Sequence, residues 1–383
     1  MSIPFGPSSS WASGYQTVQP WYTDRPIEFS IRRLKIVHGL QKVLPLPNKT
    51  RESIYKVLQH FSERTCLRFK EAEYKTAFHP DIIKALLNKQ ILNYTLDIIS
   101  SDSIEQCQSR QVGMIKNYPI GSIYDSQSNG ILLGHGCNSF LTIAHEFGHV
   151  LGLFHTQQRS DRDNYVEISR DLFMMLYSDV KTKDHLRQFM IGNQQGVAQS
   201  DLLLINKLYK CFDNCKSKIQ CFNGGFQNPN KCSECVCPRG FESRFCESRE
   251  ESFYEDKPCG ATLEAEDEWQ TLRSLTMKSV LQHPVVYPTS MCHWHLKAPL
   301  GYKLEIVFKN LWDCKSLPVK DSCAFGGTDI KLGDFGTGGY RFCCNGQIPE
   351  GHVFRTTGSL AYVGLEAVFW FHSFELEFRR VLA

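Results

Sequence analysis

The sequence predicts an α+β domain, followed by a small disulfide-rich module and a β-sandwich. The first half of the chain contains both helical apolar stripes and a strand-like alternation. Ten of the 16 cysteines lie between Cys211 and Cys314, and short alternating segments separated by Gly and Pro follow Cys259. Because a domain has roughly 150 residues, the length of 383 residues suggests two or three domains.

Composition excludes two classes of partner. The net charge is +3, with 43 basic residues spread among 40 acidic ones, so the chain lacks the concentrated basic surface that binds nucleic acid. No apolar run approaches the roughly 20 residues that cross a bilayer. A hydrophobic content of 42% nevertheless provides for a packed core. We therefore predict a folded protein with no nucleic-acid partner and no membrane span.

The cysteine content predicts a secreted, extracellular protein. An even number of clustered cysteines is typical of disulfide-stabilised modules, which persist in oxidising compartments. The first 19 residues lack the apolar core of a signal peptide, so either the natural start of the chain lies upstream or export follows another route; we favour the first. Sequons at Asn48 and Asn93 predict N-glycosylation sites that agree with export.

The secondary structure of the first domain follows from its apolar spacing. A lead over residues 1–24 is rich in Ser, Pro and Gly and is predicted to be flexible. Helical stripes predict helices over Ser53–Phe61, Phe140–Phe154 and Leu202–Tyr209, and alternation predicts a strand over Asn93–Ile99. The predicted domain boundaries are 25–212, 213–247 and 259–380.

A histidine motif on the second helix carries the predicted chemistry. His145 and His149 are four residues apart, so both rings lie on one helix face and can bind one zinc ion. Gly152 can adopt the positive φ that ends a helix, which would bring His155 back as a third ligand. Three protein ligands leave a position for water, and Glu146 is placed to take its proton.

The alternative is that these histidines are partly buried polar groups of the core. A single histidine would favour that interpretation. Five specified residues at fixed offsets arise by chance with odds on the order of one in a million, so we favour a catalytic zinc site.

The motif and its surroundings resemble the astacin family of zinc endopeptidases, which belongs to the metzincins. The tail Arg159–Val166 follows the family pattern R-x-D-R-D-x-Y-V, Thr65–Phe69 is similar to its T-C-I-R-F strand, and Ile205–Cys211 to its closing helix. The resemblance implies an α+β metzincin domain with a mixed sheet and a zinc-binding helix. It also implies disulfides Cys66–Cys211 and Cys107–Cys137, and a substrate-binding edge strand around Val112–Ile115.

The sequence departs from the family in two places. Thr156 stands where the family has a Glu directly after the third histidine. The segment between Val166 and Ile191 is short, and only Met175 and Tyr177 align with the Met and Tyr of the family's turn below the zinc. Tyr177 is either a transition-state stabiliser and fifth ligand or an ordinary tyrosine, and Met175 is either that turn residue or a core methionine.

Two further modules are predicted downstream. The spacing of the six cysteines from Cys215 to Cys246 resembles an EGF-like module, for which Cys237–Cys246 is expected as a disulfide; the alternative is a zinc knuckle at Cys232, Cys235 and Cys237. The region from Cys259 onwards resembles a CUB domain, a β-sandwich in which Cys259 would pair with Cys292. The connectivity of the other four cysteines stays open.

The sequence therefore predicts a secreted endopeptidase with one zinc ion per catalytic domain. Its substrates would be extracellular proteins or peptides, with the EGF-like and CUB modules as docking surfaces. The competing hypothesis is a catalytically impaired relative that acts as a binding module through those two modules. The short segment around Tyr177 and the substitution at Thr156 motivate it.

Overall fold

The structure is a computed structural model that describes residues 20–21, 23–37, 40–44, 46–72, 95–101, 107–109, 130–168, 180–192, 196–278, 291–312, 323, 326–368 and 371–383. Contacts divide the chain into two compact units. The first runs to Thr156 and also contains Ser200–Ser217 and Asn228–Asn230, and the second contains the rest. Residues Gln157–Gln199 thus group with the second unit, whereas the predicted domain 25–212 includes them. The domain boundaries stay predictions.

A mixed sheet forms the centre of the first unit. Its strand order is β2-β1-β4-β6-β5, with β3 beside β1. The pairs β1–β4 and β4–β6 are parallel, while β5 pairs antiparallel with β6 at the edge. The strands are β1 (Ile27–Val37), β2 (Leu40–Leu44), β3 (Phe69–Glu71), β4 (Thr95–Ser101), β5 (Cys107–Ser109) and β6 (Gly130–Leu133).

Three α-helices occur among the described residues: α1 (Asn48–Arg64), α2 (Phe140–Val150) and α3 (Gln199–Leu208). The apolar stripe of α1 is buried as its spacing predicts. His60 of α1 packs edge-on against Phe140 of α2, with ring centroids 5.6 Å apart. The predicted end of α2 at Phe154 was wrong, because Gly152 at φ 106° ends the helix earlier. None of these helices is long and apolar enough to cross a membrane.

Disulfides link distant segments of the first unit. Cys66 directly follows the C-cap of α1 and is bonded to Cys211, which is 145 residues away in sequence. Cys107 at the start of β5 is bonded to Cys137 in the loop before α2. In the chain-entropy view, closing long loops restricts the unfolded ensemble most, so the first bond is expected to stabilise this unit more than the second.

The second unit contains two packed sheets. One has the order β15-β18-β23-β20-β21 and the other β16-β25-β19-β22. Trp294 of one sheet contacts Phe374 of the other edge-on, with ring centroids 5.2 Å apart, and inward side chains of both sheets share one core. This is the sandwich that the alternating pattern predicts.

Among its described residues, the second unit contains the nine sandwich strands and several short strands outside the sandwich. They are β7 (Val166–Ile168), β8 (Val180–Thr182), β9 (Phe226–Gln227), β10 (Cys235–Val236), β11 (Phe241–Glu242), β12 (Ser248–Arg249), β13 (Phe253–Tyr254), β14 (Lys257–Pro258), β15 (Gly260–Glu264), β16 (Gln270–Arg273), β17 (Met277–Lys278), β18 (Met291–Lys297), β19 (Tyr302–Leu311), β20 (Gly326–Lys331), β21 (Tyr340–Phe342), β22 (Phe354–Arg355), β23 (Leu360–Ala367), β24 (Phe371–His372) and β25 (Phe374–Leu382).

Disulfides replace an apolar core in the cysteine-rich module. Its short hairpins carry the bonds Cys221–Cys235 and Cys237–Cys246, and Cys232 is also disulfide-bonded. A sulfur in a disulfide is not a thiolate ligand, so the zinc knuckle considered above is wrong. In the sandwich, Cys259 is bonded to Cys292 and Cys323 to Cys343.

The cysteine-rich module covers the outer face of the sandwich strand β18. His293 and His295 point to this face, opposite the inward Trp294. Nε2–H of His295 donates to the carbonyl of Gly240 at 2.9 Å, and Phe241 stacks obliquely against the same ring. Nδ1 of His293 lies 3.0 Å from the hydroxyl of the buried Tyr362. Burial lowers the pKa of His293 to about 3 and that of His295 to about 4.

The two buried histidines predict acid sensitivity of the second unit. Their folded-state pKa lies below the unfolded value near 6.5, so the unfolded chain binds more protons as the pH falls from about 6.5 towards 4. We expect His295 to account for about 2 kcal/mol of lost stability between pH 7 and pH 5. Chemical denaturation of His295→Gln across this range should show a shallower loss. The exposed His185→Gln is the matched control, and an equal slope in all three proteins would contradict the interpretation.

A buried ion cluster predicts a second stability effect. Arg341 is 1% exposed and donates to Asp329 at 3.0 Å and to Glu366 at 2.6 Å. Arg341→Met should lower the free energy of unfolding of the second unit by about 3–5 kcal/mol, because it removes the cation that both buried carboxylates bind. Arg355→Met is the control: its side chain is 71% exposed and its ion pair with Glu305 should contribute less than about 1 kcal/mol. Equal losses of unfolding free energy for Arg341→Met and Arg355→Met in urea denaturation would contradict this prediction.

Candidate metal centre

The helix α2 presents two histidines on one face. It begins after Ser139, whose hydroxyl accepts a hydrogen bond from the N–H of Thr142 at 3.1 Å and so caps the N-terminus. His145 and His149 follow one turn apart, with ring centroids 4.8 Å apart. The opposite face of the helix is buried against the first unit's core through side chains such as Phe147 and Val150. Packing of that apolar face therefore fixes the direction of the two imidazoles.

A Schellman turn returns the chain to the histidine face. The N–H of Gly152 donates to the carbonyl of His149 at 2.8 Å, and that of Leu153 donates to Gly148 at 2.9 Å. Gly152 has φ 106°, a conformation in which an L side chain is strained. This reversal brings His155 beside the other two rings, as the spacing predicted.

The three imidazoles converge on one point. Nε2 of His155 lies 3.2 Å from Nε2 of His145 and 3.1 Å from that of His149. Nitrogens bound tetrahedrally at the usual Zn–N distance of 2.0–2.1 Å are about 3.3 Å apart, so the observed spacing fits a shared zinc ion. Within the described part of the chain, this is the only group of three or more His, Cys, Asp or Glu residues arranged to hold a metal ion.

Hydrogen bonding and burial prepare the rings for a cation. Nδ1–H of His149 donates to the carbonyl of Leu153 at 2.7 Å, which leaves the Nε2 lone pair for a metal. Burial lowers the pKa of His145 to about 3, and burial also lowers the pKa of His149 and His155. All three rings are therefore neutral at pH 7, the state that binds zinc. The residues present fit the metal that the motif implies.

Glu146 lies beside this cluster on the buried side of α2. Its side chain is 5% exposed, and burial raises the pKa of its carboxyl to about 7. The backbone N–H of Ser109, on the edge strand β5, donates to this carboxylate and partly offsets that effect. The edge strand and the helix thus hold the carboxylate from two sides. The contribution of Ser109 could not be predicted from the sequence, because a backbone N–H donor can belong to almost any residue type.

Several predicted site residues lie outside the described residues or away from the cluster. Tyr177, Met175, Asn93 and the predicted edge strand at Val112–Ile115 are outside the described ranges, so their roles stay predictions. Asn48 is exposed at the first residue of α1, where a glycan would meet solvent.

The sequence did not reveal a role for Trp21 or Tyr209. Trp21 belongs to the lead of residues 1–24 that was predicted to be flexible, yet it is only 3% exposed. The prediction is therefore wrong at this residue, because its indole is buried and hydrogen-bonded at the end of α2. A lone tryptophan in a Ser- and Pro-rich segment was the available signal.

Comparison with known proteins supports the site. The family model for Astacin (Peptidase family M12A) matches residues 107–179, which include the histidine motif. Zinc metalloproteinase nas-27 of Caenorhabditis elegans is 26% identical over 382 residues, covering 88% of this chain and 82% of its own length. Zinc metalloproteinase nas-36 of Caenorhabditis briggsae is 34% identical over 254 residues, covering 56% of this chain and 39% of its own length.

This chain is an astacin-like zinc metalloprotease. It spans about four fifths of the first of these relatives and about two fifths of the second. Among solved structures, the hatching enzyme HCE-1, a zinc-protease from Oryzias latipes, is 17% identical with a TM-score of 0.31, covering 53% of this chain and 98% of its own. The assignment does not rest on that likeness. The family and the geometry agree on one zinc centre at the end of α2.

The turn at Gly152 gives a testable prediction for this astacin site. Gly152→Ala should weaken zinc binding about tenfold, because strain of about 1.4 kcal/mol is relieved by moving the turn that carries His155. Competition with a chromophoric chelator measures the affinity.

Gly136→Ala is the matched control for this variant. Gly136 also has a positive φ, 81°, lies in the same unit, and has open space where a Cβ would be. It should lose stability without losing zinc affinity. Equal zinc affinities for the two variants would show that the turn does not position His155.

Proposed function

We propose that this astacin-family protein is a secreted endopeptidase that hydrolyses peptide bonds of extracellular proteins. His145, His149 and His155 would hold one zinc ion, and Glu146 would be the general base. The observation that carries the proposal is the convergence of three neutral imidazoles beside a buried carboxylate, with Nε2 of His155 3.2 Å from that of His145 and 3.1 Å from that of His149.

The metal ion and the side chains of the protein would have different roles in peptide-bond hydrolysis. A bound zinc ion would supply Lewis acidity that polarises a carbonyl and acidifies a water molecule. Glu146 would accept the proton of that water at a carboxylate oxygen and pass it to the nitrogen of the leaving amine, which avoids expelling an amide anion. The Ser109 N–H holds the carboxylate in place for both transfers. The three histidines keep their ring planes fixed through helix packing and the Schellman turn.

The edge of the mixed sheet suggests how a peptide would bind. β5 is the last strand in the sheet order and pairs with β6 on one side only among the described strands. An extended peptide can add to such an edge through main-chain hydrogen bonds. Ser109 of β5 is also the residue whose N–H contacts Glu146, so a peptide on this edge would lie close to the base. We therefore propose protein or peptide substrates in extended conformation.

Extracellular location and docking are further parts of the proposal. Disulfides occur in the described parts of both units, and such bonds persist in oxidising compartments. The EGF-like and CUB modules, with their own packed layers in the second unit, would supply docking surfaces for protein substrates.

A catalytically impaired binding module is the alternative, motivated by Thr156 and by the segment around Tyr177. The geometry favours the enzyme. The Nε2 atoms of the three half-buried histidines point at one another, and one cation would bind all three lone pairs together. An inactive module would have no physical need for that convergence.

Replacement of Glu146 separates the two functions. Glu146→Gln keeps the size of the side chain and should leave one zinc ion per chain, while turnover of a denatured-protein substrate should fall by about 10²–10⁴-fold because the base is lost. Metal content is measured by mass spectrometry, and turnover by release of amines.

Glu63→Gln is the control, since Glu63 is an exposed residue at the end of α1 in the same unit. It should retain full turnover. Tight zinc binding with no turnover in wild type, control or variant would support the binding module and contradict the peptidase.

A further inference from the structure

The C-terminal end of α2 leaves carbonyl groups that the helix itself does not satisfy. The last four carbonyls of any α-helix lack partners within the helix. In α2 the Schellman turn satisfies those of Gly148 and His149, which leaves the carbonyls of Val150 and Leu151 directly before Gly152. These two groups sit in a fully buried environment, since both residues are 0% exposed. Each of them therefore needs a donor from elsewhere in the chain.

Trp21 supplies the first donor. Its indole Nε1–H donates to the carbonyl of Val150 at 3.0 Å, across 129 residues of sequence. The side chain is 3% exposed, so the ring is packed rather than resting on the surface. An indole has one donor and no acceptor, which makes this a directional bond to a single carbonyl.

Tyr209 supplies the second donor. Its hydroxyl donates to the carbonyl of Leu151 at 3.2 Å and accepts from the backbone N–H of Trp21 at 3.3 Å. Burial raises the pKa of Tyr209, so its hydroxyl keeps its proton and remains a donor. Tyr209 follows α3 and lies two residues before Cys211, whose disulfide to Cys66 fixes that position in the first unit. Trp21 and Tyr209 thus form one connected clamp, anchored on three segments distant in sequence.

The clamp acts at the point where the chain turns towards the third histidine. His149 lies immediately before the clamped carbonyls, and His155 comes back after Gly152. The direction of the two carbonyls sets the planes of the peptides that enter the turn, and hence the position of His155. Loss of a donor would leave a buried carbonyl unsatisfied, which is unfavourable and favours rotation of that peptide.

We propose that Trp21 and Tyr209 are positioning residues for the zinc site: their indole N–H and hydroxyl hold the last carbonyls of α2 so that His155 meets the other two ligands. The proposal rests on the function proposed above only in requiring zinc at these histidines. The clamp thus gives residues 20–21 a role in metal affinity, although these residues lie far from the histidine motif in sequence.

The test uses Trp21→Phe and Tyr209→Phe in the full chain. Each change removes one donor and keeps an aromatic ring in place. We expect zinc affinity to fall about tenfold in each variant, the lower end of the effect of losing an outer hydrogen-bond partner of a metal site. Zinc affinity is measured by chelator competition on protein whose fold is checked by circular dichroism. In the cobalt-substituted protein, the visible absorption bands should shift, because the ligand geometry changes.

Tyr55→Phe and Trp269→Phe are the matched controls. Tyr55 is 39% exposed on α1 of the same unit, and Trp269 is 37% exposed in the second unit, so each loses a comparable polar group away from the zinc site. Both should bind zinc and cobalt as the wild type does. A purely structural role would lower the melting temperature of the Trp21 and Tyr209 variants while zinc affinity and the cobalt spectrum stay unchanged, and this result would overturn the proposal.

Failure of the clamp proposal can be distinguished from failure of the proposed peptidase function. Wild type that binds one zinc ion without hydrolysing peptides would contradict the peptidase, yet weaker zinc binding by the two variants would still support the clamp. Wild type that hydrolyses peptides, with variants of unchanged zinc affinity, would contradict the clamp alone. Wild type that binds no zinc would contradict both.

Discussion

The reversal of the chain at Gly152 is the constraint on which the rest of the site depends. A straight helix can place His145 and His149 on one face, but no third residue further along that helix can reach the same point from another direction. The positive φ of Gly152 and the two hydrogen bonds of the Schellman turn produce the necessary return. The N-cap at Ser139 and the buried apolar face of α2 hold the helix from which that turn begins.

The same reasoning explains what the sequence could predict. The zinc ligands, Glu146 and the turn at Gly152 follow from local spacing, since each depends on residues within one or two helical turns. The apolar stripe of α1 was predictable for the same reason. The clamp by Trp21 and Tyr209 was not, because partners separated by 58 to 188 residues leave no periodic signal. The helix was also predicted too long, since apolar residues continue through the turn.

The second unit shows a different balance of forces. Its sandwich has an ordinary apolar core, while the cysteine-rich module depends on disulfides and on contact with the outer face of β18. That contact buries His293 and His295 as neutral groups. Strand β18 is therefore covered by the sandwich core on one face and by the cysteine-rich module on the other. Alternation in the sequence indicated a strand there but not that both of its faces are covered. Polar residues at outward-facing positions of a strand are normally exposed to solvent. Here the outward-facing His293 and His295 are instead covered by a packed module.

The coordination of zinc in the full-length protein tests the central claim most directly. X-ray absorption at the zinc K edge reports the number, type and distance of the ligands. The account predicts three imidazole nitrogens and one oxygen, all at about 2.0–2.1 Å, with no sulfur. A spectrum with two imidazoles or fewer, or with sulfur in the first coordination sphere, would show that the turn at Gly152 does not deliver His155 to the metal.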